Sequence, residues 1–252
     1  MNLAPNKLSE IEHAQRALED GSLLGKPFRG EWGNDYWVKW STMTEAFRRL
    51  ELGEGAKLLD LGCGTGWTTV FLAEAGFRTT GIDLAPAMLV AARERAQRWQ
   101  VDVDFREADM DDFDLGTTFD AALVFDALHH SDVPDRVVAN VAGHLRPGGW
   151  VLFGEPSWLH SISPRARKVH RDTGCSEHGI RVSDLEQYCR EAGLGEFRRF
   201  FEPTRPYEGR VREFVWQWIR LAAANVWAAP QAAIWLAARK PALPAGQTAS
   251  TR

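Results

Sequence analysis

The chain is poor in cysteine, lacks long apolar runs and carries little net charge. Its 252 residues include three cysteines, Cys63, Cys175 and Cys189. An odd number at wide spacing excludes a disulfide framework, and without a CxxC pair there is no thiol-based zinc or redox motif. These absences predict a reducing, cytoplasmic compartment. No apolar run approaches the roughly 18 residues that a membrane-spanning helix needs. The first 21 residues, MNLAPNKLSEIEHAQRALEDG, have no apolar centre of the signal-peptide kind. A net charge of −4 offers no general attraction to nucleic acid, so no nucleic-acid partner is expected. The run Arg165–Ala166–Arg167–Lys168 reads as a solvated face rather than a phosphate site. No internal repeat is visible.

An apolar fraction of 44% is enough for one sizeable core. From Lys57 onward, short apolar runs alternate with segments of helical period. KLLDLG, RTTGID, VDFREAD, FDAALVF and GGWVLFGEP read as strands. WTTVFLAEAG, PAMLVAARERAQRW and DVPDRVVANVAGHL read as the helices between them, with Pro86 in a first turn and Pro147–Gly148–Gly149 as a stop. Such alternation predicts an α/β fold of right-handed βαβ units, with a parallel sheet covered by helices on both faces. Before it, residues 7–20 read as a helix, 27–37 (PFRGEWGNDYW) as a loop, and Ser41 as the N-cap of a helix to Leu50. After it, 157–182 reads as an insertion rich in His and Arg. SDLEQYCREAG reads as a helix with Ser183 and Glu186 as a capping box. EFRRFFEP and AAIWLAARKP read as final strands, REFVWQWIRLAAANVW as a tryptophan-rich helix, and 241–252 as a disordered tail. The expected division is 1–50 as an N-terminal helical lid segment and 51–240 as the main domain, with acceptor-side insertions at 157–182 and 208–228.

The stretch LLDLGCGTGWTTV (58–70) places Gly62, Gly64 and Gly66 directly after the first strand. A glycine turn at that place cradles a nucleotide. A dinucleotide loop has the spacing GxGxxG, whose last glycine lets helix and strand pack closely. Here the spacing is GxGxG, followed by the bulky Trp67, which argues against NAD. Asp60, still on the strand, would repel a pyrophosphate but tolerate a cationic or zwitterionic cofactor, whose ammonium group it or the backbone around it would help hold. Asp83 ends the second strand about 20 residues on, where a carboxylate accepts ribose hydroxyls. Asp109, after the third strand, is placed to accept from an adenine amine, with the backbone at Met110 donating to a ring nitrogen. Met88 offers a polarizable face to a purine.

The blocks LLDLGCGTG (58–66), GIDLAPAML (81–89), EADMDDF (107–113), FDAALVFDALHH (119–130) and LRPGGWVLFGEP (145–156) resemble the class I S-adenosylmethionine-dependent methyltransferases, covering about residues 50–156. The resemblance implies a Rossmann-like, doubly wound sheet of seven strands with the last antiparallel, the two final strands lying beside the fifth. It implies S-adenosyl-L-methionine as cofactor. Gly62, Cys63, Gly64 and Gly66 would line its methionine part, with Cys63 there for its small size. Asp83 would hold the ribose, Asp109 with Met110 the adenine, and the backbone near Phe125 the amino-acid end, with Leu84 also among the cofactor-binding residues.

Methyl transfer needs a nucleophile held in line with the donor and a base only where the nucleophile must lose a proton. His130 and His129, just past the fourth strand, are the candidates for that base, with Asp126 behind them and His160, His170 and His178 further along in the insertion. A metal site is not expected. Adjacent histidines on an extended segment point to opposite sides, and no neighbouring Cys or carboxylate cluster completes a ligand set. The acceptor is expected to be a small molecule or a sugar unit, methylated at oxygen. Trp32, Tyr36 and Trp37 would close over the site or dock onto the main domain. The segment around Trp216, Trp218 and Trp227 would cover the sheet, line a stacking pocket, or form a membrane or homodimer interface. The competing functions are an NAD-dependent oxidoreductase and a cofactor-binding module without catalysis.

Overall fold

The computed structural model describes residues 4–19, 21, 24, 26, 33–175, 177–200, 215 and 233–243. A seven-stranded sheet runs through the molecule in the order β3-β2-β1-β4-β5-β7-β6. The strands are β1 (Lys57–Leu61), β2 (Arg78–Asp83), β3 (Asp104–Glu107), β4 (Phe119–Phe125), β5 (Leu145–Pro156), β6 (Gly195–Phe200) and β7 (Ala233–Arg239). The first five pair in parallel. β7 lies antiparallel between β5 and β6, as expected. The helices are α1 (Pro5–Glu19), α2 (Gly33–Leu50), α3 (Trp67–Glu74), α4 (Pro86–Trp99), α5 (Pro134–His144), α6 (Pro164–Thr173) and α7 (Val182–Glu191).

Central strands are apolar at successive positions because both faces are covered. On one face Leu59, Leu61, Val124, Val151, Phe153 and Leu236 pack against α5 and α7 through Val137, Val141 and Leu185. On the other, Leu58, Leu123, Leu152 and Trp235 meet Met43, Ala46 and Phe47 of α2 with Trp67 and Leu72 of α3. Strand order reverses between β1 and β4, so the crevice at their carboxyl ends is the place where an open α/β sheet takes its ligand.

Three local expectations need correction. α2 begins at Gly33, so Ser41 is an interior residue whose Oγ donates to the Val38 carbonyl. The helix extends upstream because Trp40 continues the buried stripe, its ring 5.8 Å from Trp67 and 3.8 Å from Phe71. α7 begins at Val182 with Arg181 as its cap. Ser183 instead donates to its neighbour Asp184, and Glu186 is drawn away by Arg190 and Arg199. Finally, α5 ends at His144 before the Pro-Gly-Gly run, and that run belongs to β5, where the register against β4 shifts at a bulge. The tryptophan-rich segment, apart from an exposed Val215, lies outside the described residues, as do Trp32 and the tail beyond 243. Among the described residues no helix is long and apolar enough to cross a membrane.

Candidate functional site

The turn after β1 follows from its glycines. Gly62, Gly64 and Gly66 all adopt positive φ, at 62°, 52° and 70°, a region that costs other residues strain. At Gly62 a Cβ would lie 2.6 Å from Ala127 Cβ in the turn after β4, and at Gly66 2.7 Å from Ala92 Cβ on α4. Both glycines therefore serve close packing. Gly64 faces open space, so a side chain there would enter the crevice. Gly62→Ala is expected to lower stability by about 2 kcal/mol, from backbone strain plus overpacking. A thermal melt should fall by roughly 4–8 °C; an unchanged melting temperature would contradict the close approach to Ala127.

A cleft open to solvent lies at the strand-order reversal, the place where an open α/β sheet takes its ligand. It is lined by Gly62, Cys63, Gly64, Met88 and Phe125, all five anticipated, and by Lys26, Thr65, Trp67, Thr68 and Asp126. Asp126 is held at φ 54°, donates its N–H to the Gly154 carbonyl at 2.9 Å and lies 3.8 and 3.7 Å from Lys26 and Lys39. Such strained non-glycine residues concentrate at functional sites. Burial pushes the Cys63 thiol well above its usual range, which suits a small space-filling residue rather than a nucleophile.

Asp83, Asp60, Asp109, Leu84 and Met110, also anticipated, are not among the residues that line the cleft. Asp83 Oδ2 accepts from the Gly64 N–H at 2.8 Å and Oδ1 from the Ala85 N–H at 2.9 Å, so it braces the glycine turn from β2. Burial raises its pKa against those two donors. Asp60 is fully buried and accepts from the hydroxyls of Thr68 and Thr69, both at 2.6 Å. Burial carries its pKa up to about 6. It clamps the first turn of α3 rather than facing the cleft. Asp109 and Asp111 both pair with Lys7 of α1, so α1 sits on the carboxylate assigned to the adenine. Leu84 is half-buried beside Asp83, and Met110 packs against the main core.

The histidine pair differs from expectation. Leu128–His130 is a single 3-10 turn rather than extended chain, so the rings lie side by side, 4.0 Å between centroids and tilted by 38°. His129 is buried, with Nδ1 2.9 Å from Glu155 Oε2. Glu155, fully buried on β5, also accepts from the backbone N–H groups of Ala127 and Leu128 at 3.1 and 3.0 Å. Burial pushes His129 down to about 3 and Glu155 up to about 7, so the imidazole is neutral. Because Glu155 Oε1 accepts from two backbone N–H groups and Oε2 faces Nδ1, the tautomer matched to this contact carries its proton on Nδ1 and its lone pair on Nε2. His130 is half-buried, its Nδ1 3.4 Å from Glu10 of α1. Of the insertion histidines, His160 Nε2 lies 2.6 Å from Glu177 Oε2. His178 pairs with Asp132, and His170 Nδ1 lies 2.8 Å from the Cys175 carbonyl. Burial works to raise Glu177, but the His160 hydrogen bond and neighbouring imidazoles outweigh it and hold the carboxyl below its usual range. Glu155 escaped notice in the sequence, although a carboxylate near the end of an apolar strand was a signal. Glu177 and Lys7 carried none.

Residues 58–149 match a family described as a methyltransferase domain. The chain is 32% identical over 191 residues to 27-O-demethylrifamycin SV methyltransferase from Amycolatopsis mediterranei (strain S699), covering 65% of this chain and 67% of that one. The chain belongs to the class I S-adenosylmethionine-dependent methyltransferases. It is also 33% identical over 151 residues to ubiquinone biosynthesis O-methyltransferase from Bordetella avium (strain 197N), covering 56% of this chain and 63% of that one. The chain thus spans less than two thirds of the length of these ubiquinone-pathway relatives. Among solved structures, the [4+2]-cyclase SpnF superposes with a TM-score of 0.67 at 21% identity, over 95% of this chain and 98% of that one. Magnesium protoporphyrin IX methyltransferase from Synechocystis PCC 6803, with bound S-adenosylmethionine, gives 0.62 at 15%, over 95% and 99%. These two likenesses establish the fold. As a methyltransferase of this class the chain takes S-adenosylmethionine rather than NAD. The turn leaves room for that cofactor at Gly64, which lines the cleft with open space beside it, while Gly62 and Gly66 hold the turn by close packing against the protein.

Proposed function

We propose that the chain transfers a methyl group from S-adenosylmethionine to a hydroxyl oxygen of a small-molecule or sugar acceptor. The observation that carries this reading is the histidine pair at the strand-order reversal, braced by the buried Glu155 and three residues from the cleft-lining Asp126. A nitrogen nucleophile with a free lone pair needs no base, whereas a hydroxyl does. The names of two relatives, which specify O-methylation, support oxygen as the target. The cofactor, when bound, supplies the electrophilic methyl group. In this reading Gly62, Cys63, Gly64 and Gly66 border its methionine part, Asp83 and Leu84 its ribose, Asp109 and Met110 its adenine, and Phe125 its amino-acid end, with Asp60 holding the turn beneath and Met88 against the purine. His130 takes the acceptor proton, and His129, oriented by Glu155, positions it. α1 covers the adenine side through Lys7 and the histidine pair through Glu10.

The test is a panel of phenols, alcohols, sugars and amines incubated with labelled methyl donor. Hydroxyl acceptors are expected to be labelled. His130→Ala is expected to lower kcat by about 10²–10⁴-fold, the range of general-base contributions, with affinity for S-adenosylhomocysteine unchanged. Labelling confined to amines would overturn the oxygen assignment. Tight cofactor binding with no acceptor labelled would favour the non-catalytic module.

A further inference from the structure

We propose that His129, His160 and Glu177 form a binding site for one divalent transition-metal cation of the zinc type, held through the two Nε2 atoms and a Glu177 carboxylate oxygen. The three side chains arrive from separate segments: the turn after β4, the 3-10 turn His160–Ile162, and the stretch leading into α7. Their candidate ligand atoms all lie within 4.8 Å of one another. A tetrahedral ion with ligand distances near 2.0–2.2 Å sets neighbouring ligand atoms about 3.3 Å apart. The present separations from Glu177 Oε2 are 2.6 Å to His160 Nε2 and 3.9 Å to His129 Nε2. They bracket that value, so modest side-chain rotations admit an ion.

The supporting shell is already in place. A metal-bound histidine characteristically gives its other ring N–H to a carboxylate, which fixes the ring and aims the ligating nitrogen. Glu155 does this for His129, and being fully buried and held by backbone N–H groups it cannot swing away. Glu177 is secured from its own side, because the N–H of His178 donates to the His129 carbonyl at 2.8 Å. Two imidazoles and one carboxylate suit zinc, iron, nickel or copper better than magnesium or calcium, which prefer all-oxygen shells. Three protein ligands leave a further position for an oxygen donor. That this donor is an acceptor hydroxyl rests on the methyl-transfer reading; the binding of the ion does not.

The experiment uses the untagged full chain, stripped with chelator, and contains no methyl donor. Zinc is titrated in competition with a chromophoric chelator, and cobalt(II) replaces it for visible absorption. One equivalent of zinc and cobalt bands of a four- or five-coordinate nitrogen–oxygen site are expected. His160→Ala and Glu177→Gln should each weaken zinc binding by about 100-fold or more, exceeding the loss typical of outer-shell changes. Neither residue lines the cofactor cleft, so calorimetric binding of S-adenosylhomocysteine should persist and report an intact fold. Zinc affinity equal in parent and variants, or no stoichiometric binding by the parent, would overturn the proposal. Should a variant lose S-adenosylhomocysteine binding too, the parent's cobalt spectrum decides: bands of hexaaqua cobalt alone would overturn it.

Discussion

Asp83→Ala is expected to weaken binding of S-adenosylhomocysteine by about 100-fold, roughly 2.7 kcal/mol. Two effects add. The first is the proposed loss of a charged acceptor for the ribose hydroxyls, since hydrogen bonds to charged groups contribute about 1.5–3 kcal/mol. The second is visible in the fold. Asp83 spans from the Gly64 N–H to the Ala85 N–H, joining the glycine turn to the start of α4, and its removal loosens the turn that frames the cleft. Asp83→Asn separates the two effects. It retains an oxygen for one backbone donor but turns an amide NH₂ toward the other, so a loss of at least about tenfold is expected with the overall fold intact. Calorimetry on both variants is the measurement. Undiminished affinity in Asp83→Ala would remove the ribose assignment.

Trp67→Ala should cost about 3–5 kcal/mol of folding stability, the range for truncating a large buried aromatic, and lower the melting temperature by roughly 10 °C. Trp67 is buried at the first turn of α3. Its ring stacks on Trp40 of α2 and meets Phe125 edge-on, with centroids 5.6 Å apart, and Phe125 in turn lies 5.6 Å from Trp235 of β7. One indole therefore ties together α2, α3, β4 and, through Phe125, the antiparallel strand. Because it also lines the cleft, cofactor affinity should fall along with stability, whereas Trp67→Phe should restore most of both. Thermal unfolding and calorimetry of the two variants provide the check. A Trp67→Ala protein as stable as the parent would show that the neighbouring rings do not depend on it.

The five parallel strands and the helices between them were legible because each is a local pattern: an apolar run for a strand buried on both faces, a 3.6-residue period for a helix, and a glycine or proline at its end. The cofactor turn was legible for the same reason, since glycines at alternate positions before Trp67 permit the positive-φ turn that other residues resist. Errors arose where a contact distant in sequence outweighed the local signal. Ser41 is an adequate helix cap, but Trp40 packing onto Trp67 and Phe71 carried α2 upstream past it. Ser183 and Glu186 have capping-box spacing, yet Arg199 on β6 holds the Glu186 carboxylate instead.

The sequence by itself determined the class of fold and the cofactor, because these depend on residue types at short, fixed spacing. Only the tertiary structure decided what surrounds the histidine pair. Glu155 lies 26 positions from His129, while His160 and Glu177 belong to an insertion with no local pattern pointing back to β4. Such long-range convergence is set by the packing of the whole chain, since contacts between distant segments depend on every element that brings them together.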